Sequence, residues 1–312
     1  MKYFLLLSLL LLSSCASKKE LSYSSVYEGV DVSIDDKSIP LIESKGHTQS
    51  YGPVLTEDTD YVNKKSEKIK ALFFYPAAMS SIAYLKFVDN LQKYKVSPSV
   101  YSGAGFGAVI AAFLAKGLTT DHIEWKFFSL LESLKDVEYY SPRWKKIVYK
   151  VLREEFEGLS LEGLEKALVL PIYDKKLRKV RYLSRGNLYN VLLINLELDN
   201  TSNAFFQSPV INGDLKIEKL AKNGVDSVAI LNALGGNLNF YKTNHYLIGL
   251  YGKMIGYSKI EAASSSKEIK WFNLKKQNVE LDRISDLQDL QQTIINKNKD
   301  ILIELREFFK KE

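Results

Sequence analysis

Apolar residues are grouped along the chain in two periods. IKALFFY, 69–75, is an unbroken apolar run closed by Pro76, which predicts a strand buried on both faces. Over 79–94, Ile82, Leu85, Val88 and Leu91 recur at three-residue spacing and predict a helix. Val96 to Tyr101 reads as a second strand, followed by an alanine-rich helix at 106–116. Aromatic-rich helical patterns occupy 119–134 and 142–157, and Ser160 is a suitable N-cap for a short helix, although Gly163 denies it a capping box. ALVLPIY (167–173) and RKVRYL (178–183) predict strands, 186–197 and 215–223 helices, and VDSVAIL (225–231) a further strand. Ile284, Leu287, Leu290, Ile294, Ile301, Leu305 and Phe308 form the stripe of one long C-terminal amphipathic helix, a face suited to packing on a core. Strands alternating with helices imply an α/β fold with a mainly parallel central sheet flanked by helices.

Residues before this pattern behave differently. Lys2 and Tyr3 precede the apolar run FLLLSLLLL and the sequence Leu12-Ser13-Ser14-Cys15. The run is shorter than the roughly 20 residues a spanning helix needs and has the layout of a signal peptide. Residues 1–14 are therefore read as signal, 15–68 as a polar tether and lead-in without sustained period, and 69–312 as the folded domain. Leu12 to Cys15 resembles a bacterial lipobox, which implies lipidation of Cys15 and attachment to a membrane; the alternative is an ordinary cleaved signal with a chance cysteine. Ala16 and Ser17 follow without an aspartate, and the resemblance to Gram-negative lipoproteins implies the outer membrane, facing the periplasm. Cys15 is the only cysteine, so there is no disulfide framework and no CxxC metal or redox site. The apolar share of 46% is enough for a full core. A net charge of +6 spread over interspersed Lys, Arg, Asp and Glu gives no case for nucleic acid.

The informative stretch is VYSGAGFGAVIAAFLAKG, Val100 to Gly117. Gly103, Gly105 and Ala108 fit G-x-G-x-x-A, a dinucleotide fingerprint. That reading is weak, because the motif follows the second strand and no acidic residue ends a third strand at the right distance; no cofactor is expected. Gly103-Ala104-Gly105-Phe106-Gly107 also fits the nucleophile elbow G-x-S-x-G, with glycine at the serine position.

The wider segment resembles the elbow of patatin-like phospholipases, through Val96, Pro98, Val100, Gly103, Gly107, Ala108, Ala111 and Gly117. SRGNLYNVLL and LKIEKLAKNGVDSVAIL resemble later segments of that family, so the likeness covers about 69–232, with 119–166 less clear. It implies a patatin-like fold, and a Ser–Asp dyad in the active relatives. In this chain the serine position is Gly105. Counting back from Leu215 puts the family's Asp-Gly-Gly at Ser208, Pro209 and Val210. A second alignment deletes that motif and leaves Asp214 as the nearby carboxylate. The glycine-rich oxyanion loop falls on Pro76, Ala77 and Ala78, followed by Met79, Ser80 and Ser81. Pro76 has no N–H, and alanine does not readily take positive φ. Losing one oxyanion donor costs roughly 10²–10³ in rate and losing the nucleophile roughly 10⁶.

The resemblance therefore implies a pseudoenzyme that binds lipid, an acyl chain or a partner protein. The rival is an acyl hydrolase with a relocated nucleophile, for which Ser102, Ser80 and Ser81 are candidates, with His47, His122 or His245 as base. A third possibility is a structural role for the helical regions 119–157 and 282–311.

Overall fold

Strand β1 (Lys70–Phe74) is buried along its whole length because it lies at the centre of the sheet, between two parallel neighbours. The computed structural model describes residues 68–198, 205–212, 215–222, 224–234, 245–274 and 287–310. The signal sequence, Cys15, His47, the 15–68 segment up to residue 67, and Asp214 lie outside the described residues.

The chain leaves β1 through a 3₁₀ segment, Ala78–Ala83, into α1 (Tyr84–Lys93), then β2 (Val100–Gly103) and α2 (Phe106–Ala115). Next come α3 (Thr120–Leu134), α4 (Pro142–Phe156) and a 3₁₀ turn at Leu161–Gly163. β3 (Ala167–Asp174), β4 (Lys179–Leu183), α5 (Leu188–Asn195), β5 (Phe206–Gln207), α6 (Pro209–Asn212) and α7 (Glu218–Lys222) follow. The last elements are β6 (Ser227–Asn232), α8 (His245–Ser264), β7 (Ile269–Asn273), α9 (Leu287–Lys297) and α10 (Lys299–Lys310). The seven-stranded sheet has the order β4-β3-β2-β1-β6-β7, with β5 added beside β3.

The chain is thus α/β, with a mostly parallel central sheet flanked by helices. β2, β1, β6 and β7 pair in parallel, with Leu72 opposite Tyr101 on one side and Ala229 on the other. β3 changes partner type along its length. Ala167, Leu168 and Val169 run parallel to β2, whereas Leu170 to Asp174 pair antiparallel with β4. All ten residues of α2 are buried, and its small side chains let it lie close against the sheet.

Three sequence expectations change. The helix expected over 79–94 begins as a 3₁₀ segment and ends at Lys93. The residues after it cap that helix instead of opening β2. Lys95 takes φ +56° and the Val96 N–H donates to the Leu91 carbonyl, a Schellman closure, so the strand begins only at Val100. The single C-terminal helix is two helices separated by Asn298. The Asn298 N–H reaches Ile295, while its buried side-chain amide donates to the Ile294 carbonyl at 2.7 Å. That side-chain bond takes an acceptor the regular ladder would use. Finally, α8 and β7 were not expected. Gly249, Gly252 and Gly256 weaken the helical signal of α8, yet Tyr251, Met254 and Ser258 give it a buried stripe.

The C-terminus is fastened to the sheet. The Lys70 ammonium, at the start of β1, donates to the Phe308 carbonyl at 3.1 Å and the Phe309 carbonyl at 3.0 Å, in the last turn of α10. A cation there also meets the negative end of the helix dipole. None of the described helices is long and apolar enough to cross a membrane.

Candidate functional site

The β2–α2 turn has the geometry of an elbow. Gly105 sits at φ +57°, ψ −132°, a conformation that side chains rarely adopt. The turn is closed by Gly107 N–H to the Ala104 carbonyl and Ala108 N–H to the Gly105 carbonyl, both 3.0 Å. Its three glycines differ in what surrounds them. A Cβ on Gly103 would stand 2.5 Å from the Gly107 oxygen, and one on Gly107 would stand 2.3 Å from the Phe74 oxygen. Those two positions are glycine because strand and helix backbones touch. A Cβ on Gly105 would meet the Pro76 Cβ at 3.4 Å and Val210 Cγ2 at 3.5 Å, ordinary contact distances. The centre of the turn thus has room for a β-carbon and carries none.

The loop after β1 faces this turn through Pro76. Its backbone donors are occupied by the protein's own hydroxyls. Ala77 N–H donates to Ser81 Oγ at 3.3 Å, and Ala78 N–H to the Tyr251 phenol oxygen at 2.8 Å. Ala78 adopts φ +47°, contrary to the expectation that alanine would avoid this region. The left-handed conformation costs on the order of 1–2 kcal/mol, and the Tyr251 bond and complete burial of Ala78 hold it in place.

Two further phenols extend the network. Tyr84 donates to the Tyr75 carbonyl at 2.7 Å and accepts from Ala233 N–H at 3.0 Å, while Tyr75 donates to the Met254 carbonyl at 3.0 Å. Burial pushes the Tyr84 phenol well above its ordinary value; the Ala233 N–H opposes this only in part. These bonds tie the ends of β1 and β6 to α1 and α8.

Ser208 lies beside the turn. It is buried, donates to the Asn195 carbonyl at 2.7 Å and accepts from Val210 N–H at 3.3 Å. The hydroxyl thereby opens α6 and places Val210 against Gly105, where apolar carbon occupies the position facing the elbow. Gly105, Asn195, Ser208, Val210 and Tyr251 line a cavity of about 30 Å³, room for a water or two and no more. The Asn195 amide donates to the Pro171 carbonyl at 3.0 Å and the Val191 carbonyl at 3.2 Å, and its oxygen has no partner among the described residues.

Of the residues singled out from sequence, Gly103, Gly105, Gly107, Pro76, Ala77, Ala78 and Ser208 come together. Ser80, Ser81 and Ser102 are fully buried, and among the described residues the hydroxyls of Ser80 and Ser102 have no hydrogen-bond partner. His122 is exposed on α3, away from this cluster, and His245 opens α8. Tyr251 and Asn195 escaped the sequence reading because no motif marks them; each acts through a partner distant in the chain. Among the described residues no group of three acidic, His or Cys side chains forms a metal centre.

No protein-family model and no curated protein matches the sequence. Among solved structures, VipD from Legionella pneumophila is similar at 12% identity over 78% of this chain and 67% of VipD, with a TM-score of 0.46. The type III effector protein ExoU is similar at 12% identity over 76% of this chain, with a TM-score of 0.40, and the chain spans 53% of the ExoU structure. Similarities this distant carry no functional inference.

Proposed function

We propose that this chain is a degenerate patatin-like protein that binds instead of hydrolysing. The observation that carries the reading is the elbow. The turn keeps the backbone of a nucleophile site, Gly105 supplies no nucleophile, and Ser208 and Val210 stand where the aligned dyad motif would lie. Two further features support it. The loop N–H groups that would stabilise an oxyanion are engaged by Ser81 and Tyr251. The small cavity leaves no volume for a scissile ester. The rival, a relocated serine, is disfavoured by the complete burial of Ser80, Ser81 and Ser102.

The binding role is assigned to the bacterial envelope by the signal-like N-terminus and the lipobox-like Cys15. In this reading Cys15 carries lipid, the polar segment 15–68 is a tether and lead-in, and the domain stands at the periplasmic face of the outer membrane. Its ligand is a lipid or a partner protein.

The test is covalent labelling of the full chain with a fluorophosphonate, with adducts mapped by mass spectrometry. Ser102→Ala, Ser80→Ala and Ser81→Ala serve as controls, alongside a phospholipid and ester hydrolysis assay. The expected result is no adduct and no turnover by folded protein, and Gly105→Ser alone gains neither, because Ser208 stands at the aligned position of the carboxylate base. A single labelled serine whose removal abolishes turnover overturns the proposal.

A further inference from the structure

Tyr140 lines the small cavity above Gly105 and also a second, larger space. That space is an open groove of about 460 Å³, walled by Tyr140, Pro142, Lys145, Lys146, Tyr149 and Leu198. Its described lining residues carry two ammonium groups and no carboxylate, and an acidic group that the wall touches is Glu197, whose Oε2 accepts from the Tyr140 phenol at 3.3 Å. Other lysines of the fold have carboxylate partners: Lys86 pairs with Glu124, Lys116 and Lys126 share Glu155, and Lys150 pairs with Glu154. Lys145 instead rests its ammonium 3.9 Å from the centre of the Tyr140 ring, and Lys146 has no carboxylate partner among the described residues. The first turn of α4, which enters the groove at Pro142, carries no acidic residue. Its positive dipole end, capped by Ser141 Oγ accepting from the Trp144 N–H at 3.2 Å, adds to the two lysines.

We infer that this groove binds a phosphate-bearing ligand. Lys145 and Lys146 hold the phosphate oxygens by charge-assisted hydrogen bonds, and the Tyr149 ring and Leu198 cover the organic part. The cation–π contact that Lys145 gives up is weaker than the bonds it forms to an anion. The volume suits a phosphoglycerol group, and the same chemistry is offered by a phospholipid headgroup or a free phosphate ester. The inference is independent of the reading of the elbow, and neither stands or falls with the other.

The experiment is calorimetric titration of the full chain in uncharged detergent. The probes are dihexanoyl-phosphatidylglycerol below its micelle concentration, glycerol 1-phosphate, and dihexanoylglycerol, which lacks phosphate. Binding of either phosphate-bearing probe and not of dihexanoylglycerol is expected. Preference for the lipid identifies a headgroup as the source, and preference for glycerol phosphate identifies a soluble ester. Lys145→Gln with Lys146→Gln weakens binding by about tenfold or more, whereas Lys150→Gln, outside the groove, changes it by less than about twofold. Absence of binding by both phosphate probes overturns the inference. So does equal affinity in the double variant when its melting temperature matches the parent.

Discussion

Replacing each elbow glycine by alanine separates close packing from backbone strain. At Gly107 the alanine Cβ would stand 2.3 Å from the Phe74 oxygen and 3.0 Å from the Phe74 Cβ. The first contact is about 1 Å too short, and the obstacle is the backbone of β1, which is paired on both sides and cannot swing aside. Helix propensity favours alanine over glycine by at most about 1 kcal/mol, while overpacking costs about 1–3 kcal/mol and more where backbone must move. The clash wins, with a net loss of about 3 kcal/mol. Gly103→Ala meets the Gly107 oxygen at 2.5 Å and behaves alike. At Gly105 the added carbon finds 3.4 Å and 3.5 Å contacts, so only the conformational penalty remains, about 1–2 kcal/mol. For a domain of this size about 2 °C of melting temperature corresponds to 1 kcal/mol. Thermal unfolding of the full chain followed by circular dichroism is expected to show a loss of about 6 °C for Gly107→Ala and about 2–4 °C for Gly105→Ala. An equal or larger loss at Gly105, or a parent-like melt for Gly107→Ala, refutes the packing argument.

Two further predictions rest on single contacts. Lys70→Met removes both hydrogen bonds to the end of α10 and should cost about 2–3 kcal/mol, seen as selective proteolysis and faster hydrogen exchange in 299–310; unchanged exchange there contradicts the clamp. Because Tyr84 keeps its proton in the fold above the ordinary phenol value of 10.0, its contribution is complete below that pH and is lost as pH rises beyond it, by up to about 1.4 kcal/mol per unit. Urea midpoints at pH 8 and pH 11 should therefore differ more in the parent than in Tyr84→Phe, and equal differences would refute this.

Features governed by local physics were legible in the sequence. The buried strand IKALFFY, the glycine spacing of the elbow and the alanine-rich α2 each report a neighbour's closeness through residue size or period. What stayed hidden depends on partners far apart in the chain. Nothing near Ala78 announces that Tyr251 will accept its N–H, and nothing near Lys70 announces the end of α10. From Ile269 to Asn273 the β7 strand runs buried, exposed, half-buried, buried, exposed, which gives no two-residue period for a sequence reading to find. The break at Asn298 is equally cryptic, since an asparagine within a regular apolar stripe looks like a solvent-facing residue until its burial is known.

The hydrogen bond from Ala78 to Tyr251 makes the loop a receptor already filled by an intramolecular ligand. Any visiting anion would have to displace the phenol, forfeiting about 1 kcal/mol, close to a fivefold handicap in affinity. Selection for binding at this spot would act first on Tyr251, on a helix that no elbow motif includes. A serine placed at Gly105 would likewise face loop donors already turned toward another oxygen, one of them held by α8.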